Sequence, residues 1–417
     1  MNIFTIIILL ALILEFAVDL AGHLLNLRAL RLKPPAALQG IYKPEDYHRS
    51  QEYLRETTRF GLLVKTFELA LLLAIWFAGG FNWFDQMVRG WYYPPVLSGL
   101  LYIGTLLLAY NLLTLPFSLY ATFVIEERFG FNRTTLRTFV SDRVKGIGLA
   151  LIIGGGLLAG VLALFEYAGD FAWLYCWVAV TVFSLAMQYV APTWIMPLFN
   201  KYSPMEQGEL KESIMKYANS ASFPIKNVLV MDGSRRSSKS NAFFTGFGNN
   251  KRIALFDTLI AQHTVQEIVS ILAHEVGHYK KKHILQGTIT GIAHMGLIFF
   301  LLSLVLDSYG LYAAFYMEQA SIYAGLLFFG LLYTPIEMVL SIIMAMISRH
   351  NEYEADRFAA QTTEEPGSLI DALQKLAAAN LSNLTPHPFF VFLNYSHPPL
   401  MQRIEAIKGM ERGKPAM

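Results

Sequence analysis

Residues 3–24 read IFTIIILLALILEFAVDLAGHL. A bilayer crossing takes about 20 mostly apolar residues, and this stretch supplies them. No basic segment precedes it and no small-residue cleavage site follows, which predicts a retained helix rather than a removable signal peptide. Six more stretches of the same kind follow: about Phe60 to Ala78, Val96 to Ile125, Ile147 to Phe165, Phe171 to Phe199, Ile284 to Leu306 and Ile322 to Ile347. The third is longer than a crossing needs, so a tilt or a kink at Pro116 is expected. The fifth ends at Pro192 and Pro197. Gly156-x-x-x-Gly160 in the fourth has the spacing of a close helix contact.

Composition agrees with a polytopic membrane protein. Hydrophobic residues make up 54% and charged residues 15% of the 417 positions. Soluble domains average roughly 45–50% and roughly 25%. Mean hydropathy is +0.40. Such a chain has too much apolar surface to stay disordered. With 30 Gly, 17 Pro and one Cys it is neither collagen-like nor disulfide-stapled. Lys and Arg number 33 against 31 Asp and Glu, a net charge of +2, so no nucleic-acid partner is expected. The lone Cys176 has no partner for an intramolecular disulfide.

Lys and Arg in the connections set the orientation. The first connection carries Arg28, Arg31, Lys33, Lys43, Arg49, Arg55 and Arg59, the second only Arg89. The third carries Arg128, Arg133, Arg137, Arg143 and Lys145, and the fourth, at Gly169-Asp170, none. The segment from Lys201 to His283 is rich in charge, the sixth connection has no Lys or Arg, and the tail is basic. This alternation predicts an N-terminus outside or in a lumen and a cytoplasmic C-terminus. The expected organisation is spans one to five over 1–199, a cytoplasmic segment over 200–283, spans six and seven over 284–347, and a cytoplasmic tail over 348–417. Glu15, Asp19, Lys65, Glu68 and Glu337 fall inside spans. Charges there face each other or water, so they imply helix-to-helix pairs or a water-filled interior. Glu15 with Asp19, and Lys65 with Glu68, each share a helix face.

The polar segment opens with an amphipathic helical pattern over Met205 to Ala221. Asn227 to Met231, Asn241 to Phe247 and Arg252 to Phe256 read as strands, the last two joined by a hairpin signal at Gly248-Asn249-Asn250. Thr264-x-x-Glu267 is a capping box before an apolar periodic run. That helix carries His274-Glu275-Val276-Gly277-His278. Positions i and i+4 share one face, so both imidazoles reach one Zn²⁺, with Glu275 beside them as general base. Catalytic zinc takes three protein ligands and keeps an open position. The third is expected in the tail, at Arg349-His350-Asn351-Glu352-Tyr353-Glu354-Ala355-Asp356, on a helical continuation of span seven. Glu352 and Asp356 are then i and i+4. Glu352 is the expected ligand, with His350 and Glu354 as alternatives, and Asp356 a carboxylate that holds a ligand imidazole in its tautomer. His397, on a Pro-stiffened turn, and Arg403 behind it can donate to an oxyanion or a peptide carbonyl. His23, His294 and His387 have no partner at ligand spacing and read as structural. Lys280-Lys281-Lys282 reads as an interfacial anchor.

On these residues the chain resembles the type I CAAX prenyl endopeptidases, seven-span zinc metalloproteases that trim the C-terminus of prenylated proteins. The resemblance covers essentially the whole chain. It is carried by Ser237-Ser-Lys-Ser-Asn241-Ala-Phe-Phe-Thr-Gly246, Lys251-Arg-Ile-Ala-Leu-Phe-Asp-Thr-Leu259, His274-Glu275-x-x-His278, Glu352-Tyr-Glu-Ala-Asp356 and Tyr395-Ser-His-Pro-Pro-Leu400-x-x-Arg403. It implies one zinc per chain on His274, His278 and Glu352, and Glu275 as base. It also implies substrate contacts from Asn241, His397 and Arg403. The implied fold is all-α: seven tilted helices around a water-filled intramembrane chamber, with a zincin-like cytoplasmic site and a small β-hairpin. The expected partners are a lipidated peptide or protein substrate and membrane lipids, with no obligate protein partner. The expected reaction is zinc-dependent peptide hydrolysis. Two other readings compete: a quality-control protease of membrane proteins without prenyl specificity, and a zinc-binding transporter or scaffold. The second has to leave Glu275 without a role. The end, Arg412 to Met417, carries no ER-retrieval signal, which leaves the membrane unassigned.

Overall fold

Lipid offers no hydrogen bonds, so an apolar crossing segment must satisfy its own N–H and C=O groups, and a helix does so. The computed structural model describes residues 2–31, 43–225, 227–245, 252–365 and 367–411. Among the described residues, seven helical stretches are long and apolar enough to cross a membrane, at the seven places expected. The first is α1 (Ile3–Arg28), capped by the Asn2 side chain, and the second is α2 (Pro44–Phe77). A short α3 (Gly80–Arg89) leads to α4 (Pro95–Tyr120). α5 (Leu136–Leu149) and α6 (Gly155–Tyr167) make one crossing through a π-helical turn, and α7 (Ala172–Val190) is the fifth. α2 and α5 begin well before the apolar windows seen in the sequence. Hydropathy marks only the lipid-facing part, while the helix runs on into polar sequence; Glu45 and Asp46 in the first turn of α2 suit its dipole. The chain stays α-helical through Pro116 and widens into a π-helical turn only at Ala121–Glu126. Nothing lies within 4 Å of where a Cβ on Gly156 or Gly160 would sit, so that spacing marks no close contact. The tight approach is at Gly99, where a Cβ would meet Leu162 Cδ1 at 2.8 Å.

The polar segment holds a four-stranded sheet, larger than the hairpin expected. Its strands are β1 (Tyr202–Pro204), β2 (Asn227–Met231), β3 (Ala242–Thr245) and β4 (Arg252–Phe256), in the order β1-β2-β4-β3. β2 runs parallel to β4, and the other two pairs are antiparallel. Because β1 takes Tyr202–Pro204 and Met205 N–H bonds to Val228 O, the helix expected from Met205 starts later, as α8 (Glu209–Ser220). The turn signal at Gly248-Asn249-Asn250, the basic Lys33 and the end Arg412–Met417 lie outside the described residues. α9 (Asp257–Gln262) precedes α10 (Val265–Lys280), which carries both expected bonds of the capping box. α11 (His283–Val305) and α12 (Tyr309–Ala314) lead to α13 (Ile322–Thr362). α13 is one 41-residue helix that leaves the apolar region and enters the polar core. α14 (Gly367–Ala379), α15 (Pro388–Asn394) and α16 (Leu400–Glu411) close the chain. Ile214, Val228, Leu255, Leu272, Val276 and Ala359 form the buried centre of this part.

Asp19, Lys65, Glu68 and Glu337 inside the spans each meet a polar partner. Lys65 Nζ lies 2.6 Å from Asp19 and joins α2 to α1. Tyr110 donates to Glu68 at 2.6 Å. His294 sits 3.1 Å from Glu337 and 2.9 Å from Tyr333 OH, between α11 and α13. Glu15, Asp19, Lys65, Glu68 and Glu337 also line one intramembrane cavity of about 670 Å³. Four of the five thus pair, and all five give a polar side to a cavity that Leu72, Ile103 and Leu327 otherwise make apolar.

Candidate metalloprotease active site

α10 and α13 form the most extensive helix pair of the molecule, and the site lies between them. Their approach is close at Gly277, where a Cβ would meet Ala355 Cα at 3.0 Å and Ala355 O at 3.1 Å. The glycine of the motif therefore sets the distance between the two histidines and Glu352.

His274 Nε2 and His278 Nε2 are 3.2 Å apart. Glu352 Oε1 is 3.3 Å from His278 Nε2, and Oε2 is 3.4 Å from His274 Nε2. The three ligand atoms all lie within 4.8 Å of one another. Glu352 is buried, and its Oε2 makes no hydrogen bond. A buried carboxylate oxygen left without a bond is costly unless a cation completes it, so the donor set fits a metal ion. Of the alternatives, His350 is exposed, and Glu354 lies 3.1 Å from His283 Nε2. Glu275 follows His274 on α10 and is half-buried; burial pushes its carboxyl above the ordinary value, against the attraction of His274 and His278.

Behind His274, Asp356 Oδ1 lies 2.9 Å from Nδ1. Asp356 is in turn gripped by Arg403 through Nε at 2.8 Å and Nη2 at 2.6 Å, a two-pronged bond. Burial disfavours a charged His274, but its bonds to Asp356 and Glu352 outweigh burial and raise its pKa to about 9. Arg403 is 9% exposed. It sits behind the metal ligands rather than on the open side. His397 is on the open side: its side chain is 64% exposed and Nε2 lies 3.2 Å from Glu352 Oε1. Arg349 fixes the loop before it by donating to Tyr395 O at 2.5 Å and Val391 O at 3.3 Å. Asn241 is exposed at the start of β3, the edge strand of the sheet, and its side chain accepts from Ala242 N–H at 2.8 Å.

Two features escaped the sequence reading. Arg349 stood beside the metal-site run but gave no spacing signal toward Tyr395. His283 follows the triple lysine and in the sequence marks only the end of the polar segment, yet its Nδ1 lies 3.1 Å from His278 Nδ1. Of the three histidines expected to be structural, His23 lies 3.6 Å from Asp19, His294 lies 3.1 Å from Glu337, and His387 caps α15.

Seven helices long and apolar enough to cross a membrane and an HExxH helix faced by a carboxylate as third ligand candidate define a polytopic membrane metallopeptidase. The chain belongs to peptidase family M48: residues 204–411 match that family, and residues 23–201 match the CAAX prenyl protease N-terminal region of five membrane helices. Among its relatives is a CAAX prenyl protease 1 homolog of Arabidopsis thaliana, 36% identical and covering 93% of each chain. The CAAX prenyl protease 1 of Saccharomyces cerevisiae is 34% identical over 90% of this chain and 88% of its own. The fold matches the crystal structure of S. mikatae Ste24p with a TM-score of 0.92 and 33% identity, covering 98% of this chain and 99% of that one.

Proposed function

We propose that the protein is a zinc endopeptidase that cleaves the C-terminal peptide of prenylated CAAX proteins at a cytoplasm-facing site. One observation carries this reading: three ligand atoms gathered within 4.8 Å of one another, with Glu275 next to His274 on the same helix. His274, His278 and Glu352 hold one Zn²⁺, which when bound polarises the scissile carbonyl and acidifies water. Glu275 takes the proton of the attacking water and hands it to the leaving amine. His397, exposed and beside Glu352, donates to the carbonyl oxygen as negative charge develops. Arg403 fixes Asp356, and Asp356 fixes the His274 ring; that is a positioning role, because the guanidinium is buried behind the ligands and spends its two shortest bonds on Asp356. Asn241 begins an edge strand, whose free side accepts an extended peptide as an added strand. The cavity also touches Leu393 and Asn394, in the segment leading to His397, so an isoprenoid chain in it lies close to that residue.

The test is cleavage of one CAAX-type peptide, prenylated and unprenylated, by purified protein, with the products read by mass. Preferential cleavage of the prenylated form supports the reading. Equal cleavage of both forms transfers the protein to membrane-protein quality control.

A further inference from the structure

α10 and α11 are joined by Lys281 and Lys282 alone, and Lys282 stands at φ +62°, left-handed for a residue with a Cβ. Such a conformation persists only where the surroundings hold it. Its consequence is that His283, the first residue of α11, folds back beneath α10. His283 is 8% exposed. Its Nδ1 lies 3.1 Å from His278 Nδ1, and its Nε2 lies 3.1 Å from Glu354 Oε2. Lys281 approaches the other oxygen of Glu354 at 4.0 Å.

These contacts allow one proton arrangement in a ligating site. His278 Nε2 faces His274 and Glu352, so it is the ligating atom and must be free of a proton. The His278 proton is then on Nδ1, and it needs an acceptor. His283 Nδ1 is that acceptor, which leaves the His283 proton on Nε2, donated to Glu354. A cationic His283 would set N–H against N–H, and the N-terminal end of α11 also disfavours that charge. On the zinc-site reading above, we propose that His283 and Glu354 form a hydrogen-bonded relay that holds the His278 imidazole in its ligating tautomer. It is the counterpart of Asp356 and Arg403 behind His274. Each zinc-ligating ring then has its own partners behind Nδ1, Asp356 and Arg403 for His274 and His283 and Glu354 for His278, and His283 ties the metal site to the first turn of the sixth crossing helix.

Zn²⁺ affinity, measured on the purified full chain by competition with a chelator, tests this. His283→Phe should weaken binding by about 10–100-fold, the usual effect of losing a ligand's hydrogen-bond partner. Glu354→Leu should weaken it by a smaller factor. The double variant should bind no more weakly than His283→Phe, because a relay cut at its first link loses nothing more at the second. His283→Asn, whose amide oxygen accepts from His278 Nδ1–H, should recover part of the loss. Parent affinity in His283→Phe and Glu354→Leu overturns the relay, as do additive losses in the double variant. No recovery in His283→Asn assigns the effect to packing and overturns it too. Glu354 is partly exposed, so Glu354→Leu keeps the test open if His283→Phe fails to fold. His278→Ala separates the two ideas: parent affinity there sinks the zinc-site reading itself.

Discussion

At the residue scale the site divides into ligands, a proton carrier and spacers. His274→Ala or Glu352→Ala should lower bound zinc and abolish cleavage. Glu275→Ala should keep zinc and still abolish cleavage, because its carboxylate moves protons and does not ligate. Metal analysis of the purified variants decides this, and normal zinc in Glu352→Ala would move the third ligand to another residue. Asp356→Ala should cost about 10–100-fold in zinc affinity or activity without removing the site. Gly277 is the spacer. A methyl there would meet Ala355 backbone at 3.0–3.1 Å, tighter than most real Cβ contacts. Gly277→Ala should therefore push α13 from α10, spread the three ligand atoms and reduce both zinc content and activity. Full zinc and full activity in Gly277→Ala would mean that the helices yield freely. The sequence showed the two histidines and the base by spacing alone. It did not show Gly277 as a spacer, because what the missing side chain makes room for is on another helix.

At the element scale the stability of α10 governs the site. Thr264 and Glu267 cap it reciprocally, and Glu267 also bonds Lys375 of α14 at 2.7 Å. Thr264→Ala should cost about 1 kcal/mol, the usual loss for such a cap, and lower the melting temperature of the solubilised protein. Acid should act on the same end. Burial holds His263 neutral and its pKa below the ordinary 6.5, despite Glu267 at 3.1 Å. The unfolded chain then binds a proton that the folded one refuses, so stability falls as pH drops below about 6.5. Glu267 acts lower still. Burial raises its pKa, but Lys375 and the Thr264 N–H outweigh burial and bring it below 4.5; its contribution is present above that value and lost as pH falls through the folded pKa. Melting curves at pH 7 and pH 5 should show a drop in the parent and a smaller one in His263→Asn. An equal drop in both would place the sensitivity elsewhere. The capping box was legible because both its partners sit three residues apart. The Lys375 bond was not, since 108 residues separate its ends.

At the scale of the whole molecule, the Lys and Arg asymmetry predicts that the site and the tail lie on the cytoplasmic side. Single cysteines introduced after replacement of the buried Cys176 would read this out. Glu364→Cys, beside the polar core, should react in intact cells only with a membrane-permeant reagent. Glu318→Cys, exposed in the connection between spans six and seven, should react with an impermeant one. Alike labelling of the two would break the orientation and the seven-span count together. By itself the sequence determined the crossings and the zinc-ligand candidates on α10 and α13. The lipid interior forces helices onto every long apolar run, and an i,i+4 pair shares a face on any helix. Only the tertiary structure decided the rest. It turned a hairpin into a four-stranded sheet, because β1 and the parallel β2 pair through residues far apart in sequence. It put Arg403 behind the site and His397 in front, since which face of a tail helix or loop meets α10 depends on packing. It also turned a lysine-rich junction into a bend that brings His283 under His278, because the left-handed Lys282 is imposed by the helices on either side.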